Sequence, residues 1–473
     1  MTVSARDHDV VLRELPDPPR TPAGRVDVDA LAHALRPCDL LETGGEVAGW
    51  SYVAPHDGPV LRDDGARARL HHPDGLVEDL GPDPFAAVER RCEQLGIVPD
   101  APFDVALPPL TGGLVGAFAY DLARRVEHLE EVARVDRGQP HLHLRQADLV
   151  VAVDPTGERA CVVGRDLSSR GGLDARVREI VDRLTAAAPP PAGPRAVRQR
   201  ASTSLPRAAY LDAVERVLEA IGAGDAFQVN LAQRLTARWE GDTHGLYRAL
   251  RSHSPAPFGA ALPEVGIASV SPETFLAADG RRVSTRPIKG TRPRSAEPTL
   301  DAAHADDLLT SPKDRAENVM VVDLERNDLG RVCEPGSVRV PELCRLEDHP
   351  TVWHLVSTVA GDLRDEIGYG ELLRATFPCG SITGAPKVAA MQLIERLERV
   401  RRGWYCGAVG FLAPGRLRLA VAIRTATLFP DGTVDHGAGG GIVADSDPAA
   451  EHAESLDKAA AFLRTVGAEE VGS

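Results

Sequence analysis

The 473-residue chain has no stretch approaching the roughly 20 consecutive apolar residues of a membrane helix. The run Met1 to Asp9 has no apolar core of a secretory signal. The expectation is a cytoplasmic protein with no membrane partner. Cysteine pairs at metal or redox spacing are also missing. The seven cysteines (Cys38, Cys92, Cys161, Cys333, Cys344, Cys379 and Cys406) are odd in number and include no Cys-x-x-Cys, which argues against a disulfide scaffold and a zinc site. There is no basic excess or stripe: the formal charge is −15, so no nucleic-acid partner is expected. An anionic substrate would have to be met by local cations or a metal. There is no internal repeat and no regular βαβ alternation. The glycine-rich run from Leu110 to Tyr120 is not followed by Lys-Ser or Lys-Thr, so it reads as a buried strand rather than a phosphate loop.

What is present is length and apolar content, 43%, enough for two domains or one large intertwined pair. Prolines 189, 190, 191 and 194 follow a helical stretch from about Leu173 to Leu184 and mark an extended segment. The predicted division is residues 1–186, a Pro-rich linker at 187–204, and a second domain at 205–467. The first part reads as short strands and loops with two helices. In the second, Tyr210–Ile221, Leu308–Val322 and Pro448–Val466 have helical periodicity. Phe227–Leu231, Leu417–Leu428 and Thr433–Val443 read as strands. This mixture predicts an α+β layered fold.

Several clusters carry chemistry. Asp314 and Glu317, and Glu451 and Glu454, are two acidic pairs spaced i,i+3, so each pair shares a helix face. Asp447 as N-cap and Pro448 at the first turn support the second helix. Brought together, two such faces form an oxygen-only site that suits Mg²⁺; either pair alone equally describes a solvated surface. Phe377-Pro-Cys-Gly-Ser-Ile-Thr-Gly-Ala-Pro-Lys387 reads as a helix start that could hold an anion, or as ordinary capping. Gly439, Gly440 and Gly441 permit close backbone approach, or a plain bulge. Arg424, inside an apolar strand, calls for a carboxylate, from a ligand or from a structural salt bridge. Lys289 lies between Ile288 and Gly290; if desolvated and near Glu273, it could act as a nucleophile.

Together these motifs resemble the chorismate-utilising enzymes, which include anthranilate, aminodeoxychorismate, isochorismate and salicylate synthases. The resemblance runs from about Leu205 to Val466. It is carried by Ser271-Pro-Glu273, Pro287-Ile-Lys-Gly-Thr291, Asp314-Arg-Ala-Glu-Asn318, His354-Leu-Val-Ser357, Gly380-Ser-Ile-Thr-Gly-Ala-Pro-Lys387, Ile423-Arg-Thr-Ala426 and the glycine run. Asp39-Leu-Leu-Glu-Thr43 and Gly112–Tyr120 match the family's N-terminal domain more loosely. The resemblance implies an antiparallel β-sheet sandwich with surrounding helices, like that of anthranilate synthase component I, and chorismate binding in the second domain. It implies Mg²⁺ held by Glu317 and Glu454, with Asp314 and Glu451 nearby or bound through water. It implies Arg424 and Tyr405 on the enolpyruvyl carboxylate, backbone amides from Gly439, Gly440 and Gly441, and Gln228, Thr291, Thr383 and Lys458 lining the site. His354 matches a family active-site histidine.

Two positions sort the branches of that family. Those that attack with water carry a lysine base where this chain has Gln228, which cannot deprotonate water; ammonia fits better. Anthranilate synthases have alanine where this chain has Lys289, and aminodeoxychorismate synthases have lysine. The implied catalytic set is Lys289 as nucleophile and Glu273 as general acid, with His354 in the site. No glutaminase signature is present, so the implied partner is a separate glutamine amidotransferase subunit that supplies ammonia. The alternatives are an anthranilate synthase component I, and an inert paralogue that binds tryptophan or an amidotransferase. Tryptophan binding in the N-terminal domain is left open, because Thr43 replaces a serine and His253–Phe258 replaces the usual Asn-Pro start. Glu325 adds a charge where smaller or apolar residues are common.

Overall fold

The computed structural model describes residues 10–44, 49–167, 171–186, 190, 196, 198–349 and 352–472. Most of the Pro-rich linker lies outside the described residues. Among those described, two large sheets of 13 and 12 strands pack face to face. Pairing is antiparallel almost throughout, with Gln199–Thr203 and Ala468–Gly472 running parallel. The sandwich interior is filled from both sheets, by Tyr52, Val150, Ala260 and Ile267 on one side and Val115, Val409, Phe411 and Ala420 on the other. The outer face of the 12-stranded sheet is covered by helices Pro84–Gln94, Pro312–Gly330 and Tyr369–Thr376. The outer face of the other is covered by Val28–Ala34, Leu173–Thr185, Thr243–His253 and Pro448–Val466. This is the layered antiparallel α+β sandwich that the sequence predicts.

Both sheets cross the predicted division of the chain. Cys38–Thr43 pairs with Phe258–Leu262 in one sheet, and Gly113–Phe118 pairs with Ala408–Ala413 in the other. Residues 199–203, inside the predicted linker, form a strand against Gln228–Arg238. The first 186 residues hold three α-helices among those described, not two: the short Val28–Ala34, capped by Asp27, has too few turns to show a periodicity.

Two predicted elements are each broken in two. The helix predicted over Leu308–Val322 is the end of Pro298–Thr310 and most of Pro312–Gly330. Ser311 accepts the amide of Asp314 and Pro312 takes the first turn, so the cap restarts the helix despite continuous apolar spacing. The strand predicted over Leu417–Leu428 is Arg416–Val421 in one sheet and Thr425–Leu428 in the other. Arg424 lies in the crossover with a left-handed φ of 50°. A non-glycine residue there costs about 1–3 kcal/mol and is typically held in place at functional sites.

The inter-sheet core should govern stability. Phe411 packs edge-on against Tyr52 with ring centroids 5.6 Å apart, and both are buried. Phe411→Ala should cost about 3–5 kcal/mol in chemical denaturation; a loss below about 1 kcal/mol would mean that the two sheets do not pack as described.

Candidate active site

Lys289 and Gly290 occupy a register break between Ile288–Pro293 and Val352–Asp362, where Ile288 faces Val356 and Thr291 faces His354. Such a break re-aims side chains off the regular alternation. Gly290 has φ 87°, and a Cβ there would lie 2.7 Å from Leu308 Cδ1 and 3.0 Å from Asp314, so only glycine lets the acidic helix come this close. Lys289 is half-buried and its Nζ donates to the Ser381 carbonyl at 3.1 Å. Burial pulls the Lys289 ammonium below its usual range; Glu317 and Glu273 oppose this, and Lys458 reinforces it.

Glu273 follows the strand Ile267–Ser271 and is 4% exposed. Burial pushes its carboxyl up to about 7, against the Ser381 hydroxyl, the Lys289 ammonium and the Ile288 amide. Its Oε1 has no hydrogen-bond partner. A buried carboxyl with a free oxygen and a proton affinity near neutrality can hand a proton to a ligand.

The two acidic pairs come from Pro312–Gly330 and Pro448–Val466. The second helix starts as predicted, with Asp447 accepting the Ala450 amide. Glu317 is pushed up by burial, and the Asp314 and Glu451 charges add to this against Lys289 and Lys313. Glu451 is buried, accepts from the Ser446 hydroxyl at 2.6 Å, and is pushed up by burial and by Glu454. Burial also raises Glu454, but Lys458, 2.7 Å away, together with Lys313 and Lys289 leaves that carboxyl lowered. Asp314 is paired with Arg292 at 3.0 Å. Among the described residues no three acidic, histidine or cysteine side chains form a compact cage. The cluster is instead mutually repelling carboxylates facing one another across two helices. Mg²⁺ characteristically takes one or two carboxylates, waters and a substrate oxygen, and this donor set fits it.

The glycine run lies in Thr433–Ile442, where Gly439, Gly440 and Gly441 face Ala232, Leu231 and Asn230. A Cβ on Gly440 would lie 3.1 Å from Glu451 Oε2, 3.5 Å from Lys458 Nζ and 3.7 Å from Glu454 Oε1. Glycine there leaves open the space in front of the carboxylates. Lys458 also donates to the Gly439 carbonyl at 3.0 Å. Gln228 is fully buried, yet neither its amide oxygen nor its nitrogen has a partner; a Cβ on Gly441 would lie 2.9 Å from that nitrogen. Such a buried, unpartnered amide has donors and an acceptor available to a ligand or a water. Arg424 is half-buried and has no ion pair among the described residues; burial lowers its proton affinity. His354 accepts or donates at Nδ1 with the Thr291 hydroxyl at 3.0 Å, and burial and Arg424 push it down to about 3, so it stays neutral. Thr383 donates to the carbonyls of Cys379 and Gly380, which leaves its hydroxyl only as an acceptor. Tyr405 stands further along the glycine strand, its ring over Gly437.

Two neighbours were not assigned roles from sequence. Ser381 touches both Lys289 and Glu273. Cys379, buried with its thiol pushed well up, bridges Ser381 and Glu325. The place of Ser381 inside the Gly-Ser-Ile-Thr-Gly run, and of Cys379 just before it, was the available signal. In the N-terminal part, Glu42 pairs with Arg251 and Tyr247, and the Thr43 hydroxyl donates to the Trp50 carbonyl at 3.0 Å.

With this geometry in place, comparison with known proteins is specific. The model of the chorismate binding enzyme family matches residues 82–464, and the chain belongs to that family. It is 41% identical over 385 residues to aminodeoxychorismate synthase component 1 of Klebsiella aerogenes, covering 81% of this chain and 82% of the relative. It is 39% identical over 488 residues to anthranilate synthase component 1 of Streptomyces coelicolor, covering 98% and 90%. The solved anthranilate synthase component I of Streptococcus pneumoniae superposes with a TM-score of 0.75 at 29% identity, over 87% of this chain and 91% of that one. The protein is a chorismate-utilising enzyme.

Because Glu273 is raised in the folded state above its ordinary value of 4.5, folding loses stability as pH rises from there through about 7. Glu273→Gln removes that penalty. It should therefore be more stable than the parent above pH ~7, by on the order of 2 kcal/mol, and not below pH ~4.5. Equal denaturation midpoints at both pH values would contradict the burial of an ionisable Glu273.

Proposed function

We propose that the chain is an aminodeoxychorismate synthase component I, which converts chorismate and ammonia to 4-amino-4-deoxychorismate. The observation that carries this reading is Lys289, a desolvated lysine 3.1 Å from the Ser381 carbonyl and electrostatically coupled to the buried acid Glu273. Neutral Lys289 adds through Nζ at C2 of the ring as the C4 hydroxyl departs. Glu273 gives that hydroxyl its proton, so it leaves as water. Ammonia then adds at C4 and expels the lysine amine. The proton lost by the new C4 amine returns to Glu273, and the enolpyruvyl group is retained. Arg424, without a protein carboxylate, would pair with a carboxylate of the substrate. Gln228 cannot act as a base on water, which favours ammonia as the nucleophile.

Glu317 and Glu454 would hold Mg²⁺, with Asp314 and Glu451 beside them. Bound there, the ion would offset carboxylate charge in an already acidic site and orient the ring. The ammonia would come from a separate glutamine amidotransferase subunit, since the chain carries no glutaminase signature. Anthranilate synthase component I is the second reading, because relatives of the two kinds stand at 41% and 39% identity. Lys289 speaks against it.

Incubation with chorismate, Mg²⁺ and ammonium should yield a product that a p-aminobenzoate-forming lyase consumes. Lys289→Ala should lower turnover about 100-fold or more and shift the residual product toward anthranilate, read by mass spectrometry and product fluorescence. An unchanged product would remove Lys289 from the mechanism. Glu454→Ala should abolish Mg²⁺-dependent turnover; full activity in that variant would end the metal assignment.

A further inference from the structure

Glu325 sits in the middle of Pro312–Gly330, faces the 12-stranded sheet and is 4% exposed. A carboxyl there is costly unless its oxygens are engaged. Both are: the Thr285 hydroxyl donates to Oε2, and Cys379 Sγ lies 3.3 Å from Oε1. Cys379 Sγ is also 3.3 Å from Ser381 Oγ, in a contact that can run in either direction. The Ser381 hydroxyl in turn acts on the Glu273 carboxyl. The result is a buried run of contacts from Glu325 through Cys379 to Ser381, whose hydroxyl favours the ionised form of Glu273. The other charged groups facing this path are few. Asp328, held by Lys387 at Nζ, and Glu273 itself act on Glu325; Lys289 acts on Glu273 from the substrate side. Burial, with the Glu273 and Asp328 charges, pushes Glu325 up to about 8, so it is an un-ionised acid at neutral pH.

We propose that Glu325 is a positioning residue for Glu273, anchoring the far end of the chain through Cys379 and Ser381 that fixes the aim of the Glu273 carboxyl and the direction of the hydrogen bond it receives. The proposal rests on the assignment of Glu273 as the acid. The Cys379 thiol donates to Glu325 Oε1, which holds the sulfur beside Ser381 Oγ, and the serine O–H is turned toward Glu273. That donor stabilises the carboxylate left behind when Glu273 releases its proton, and it holds the unpartnered Oε1 toward the substrate. Removing Glu325 frees the thiol and the serine hydroxyl to turn away. The seven cysteines are all free and buried, and Cys379 has a use here that needs neither oxidation nor nucleophilicity.

The test compares Glu325→Leu, Glu325→Gln and Cys379→Ala, each in the parent and in the Glu273→Gln background, with chorismate, Mg²⁺ and ammonium. Residual rates in the Glu273→Gln background are measured at high enzyme concentration. Glu325→Leu should lower kcat roughly 10-fold with KM unchanged, a loss in the range seen for coupled buried groups. Glu325→Gln, which keeps a side-chain oxygen to accept from the thiol, should recover most of it. In the Glu273→Gln background Glu325→Leu should cost nothing further. Cys379→Ala cuts the same path and should reproduce the loss, and it decides the matter if Glu325→Leu does not fold. Equal losses in both backgrounds, an effect on KM alone, or no loss from either variant would overturn the proposal. A fully active Glu273→Gln enzyme would instead remove the acid from the proposed function, and the purpose of the chain with it.

Discussion

A half-buried lysine beside carboxylates is the arrangement on which the rest of the site depends. Burial lowers the proton affinity of Lys289, while Glu317 and Glu273 raise it, and the net effect is a lowered one. The two tendencies work against each other at one ammonium. Glu273 is in the complementary state, a carboxyl raised to about 7 by the same desolvation. A nucleophile that can be neutral and an acid that can be protonated at one pH are what the proposed addition with loss of water requires.

The scaffold secures this by letting backbones approach. Gly290 admits the helix carrying Asp314 and Glu317, and Gly440 opens the floor before Glu451 and Glu454. Each acidic helix begins at a side-chain cap followed by proline, at Ser311-Pro312 and at Asp447-Pro448. The caps fix where the first turn starts, and hence which face each i,i+3 pair presents. Arg424 sits where the chain passes from one sheet to the other, with a left-handed backbone and no ion pair among the described residues. The chain's net charge of −15 sharpens the need for such cations near an anionic ligand.

Much of this was legible in the sequence because the signals are local. The cap at Asp447, the i,i+3 acidic pairs and the glycine run each state their geometry within a few residues. The fold class followed from mixed periodicities without a βαβ repeat. What escaped was set by tertiary pairing. The helix break at Ser311 and the split of the strand at Arg424 are invisible to apolar spacing, since both halves keep the pattern. Glu325 read as an unexplained charge where smaller or apolar residues are common; only the packing of its helix against Thr285 and Cys379 gives its oxygens partners. Ser381 was hidden by its motif, because what it offers Lys289 is a backbone carbonyl, which no residue type encodes.

The account turns on Lys289 forming a bond to the ring. The direct measurement is mass spectrometry of the enzyme quenched in acid after exposure to chorismate and Mg²⁺ without ammonia. The peptide containing Lys289 should then carry the mass of chorismate less one water, and the adduct should disappear when ammonium is added before the quench. An unmodified Lys289 peptide under conditions where chorismate is aminated on adding ammonium would contradict the covalent route.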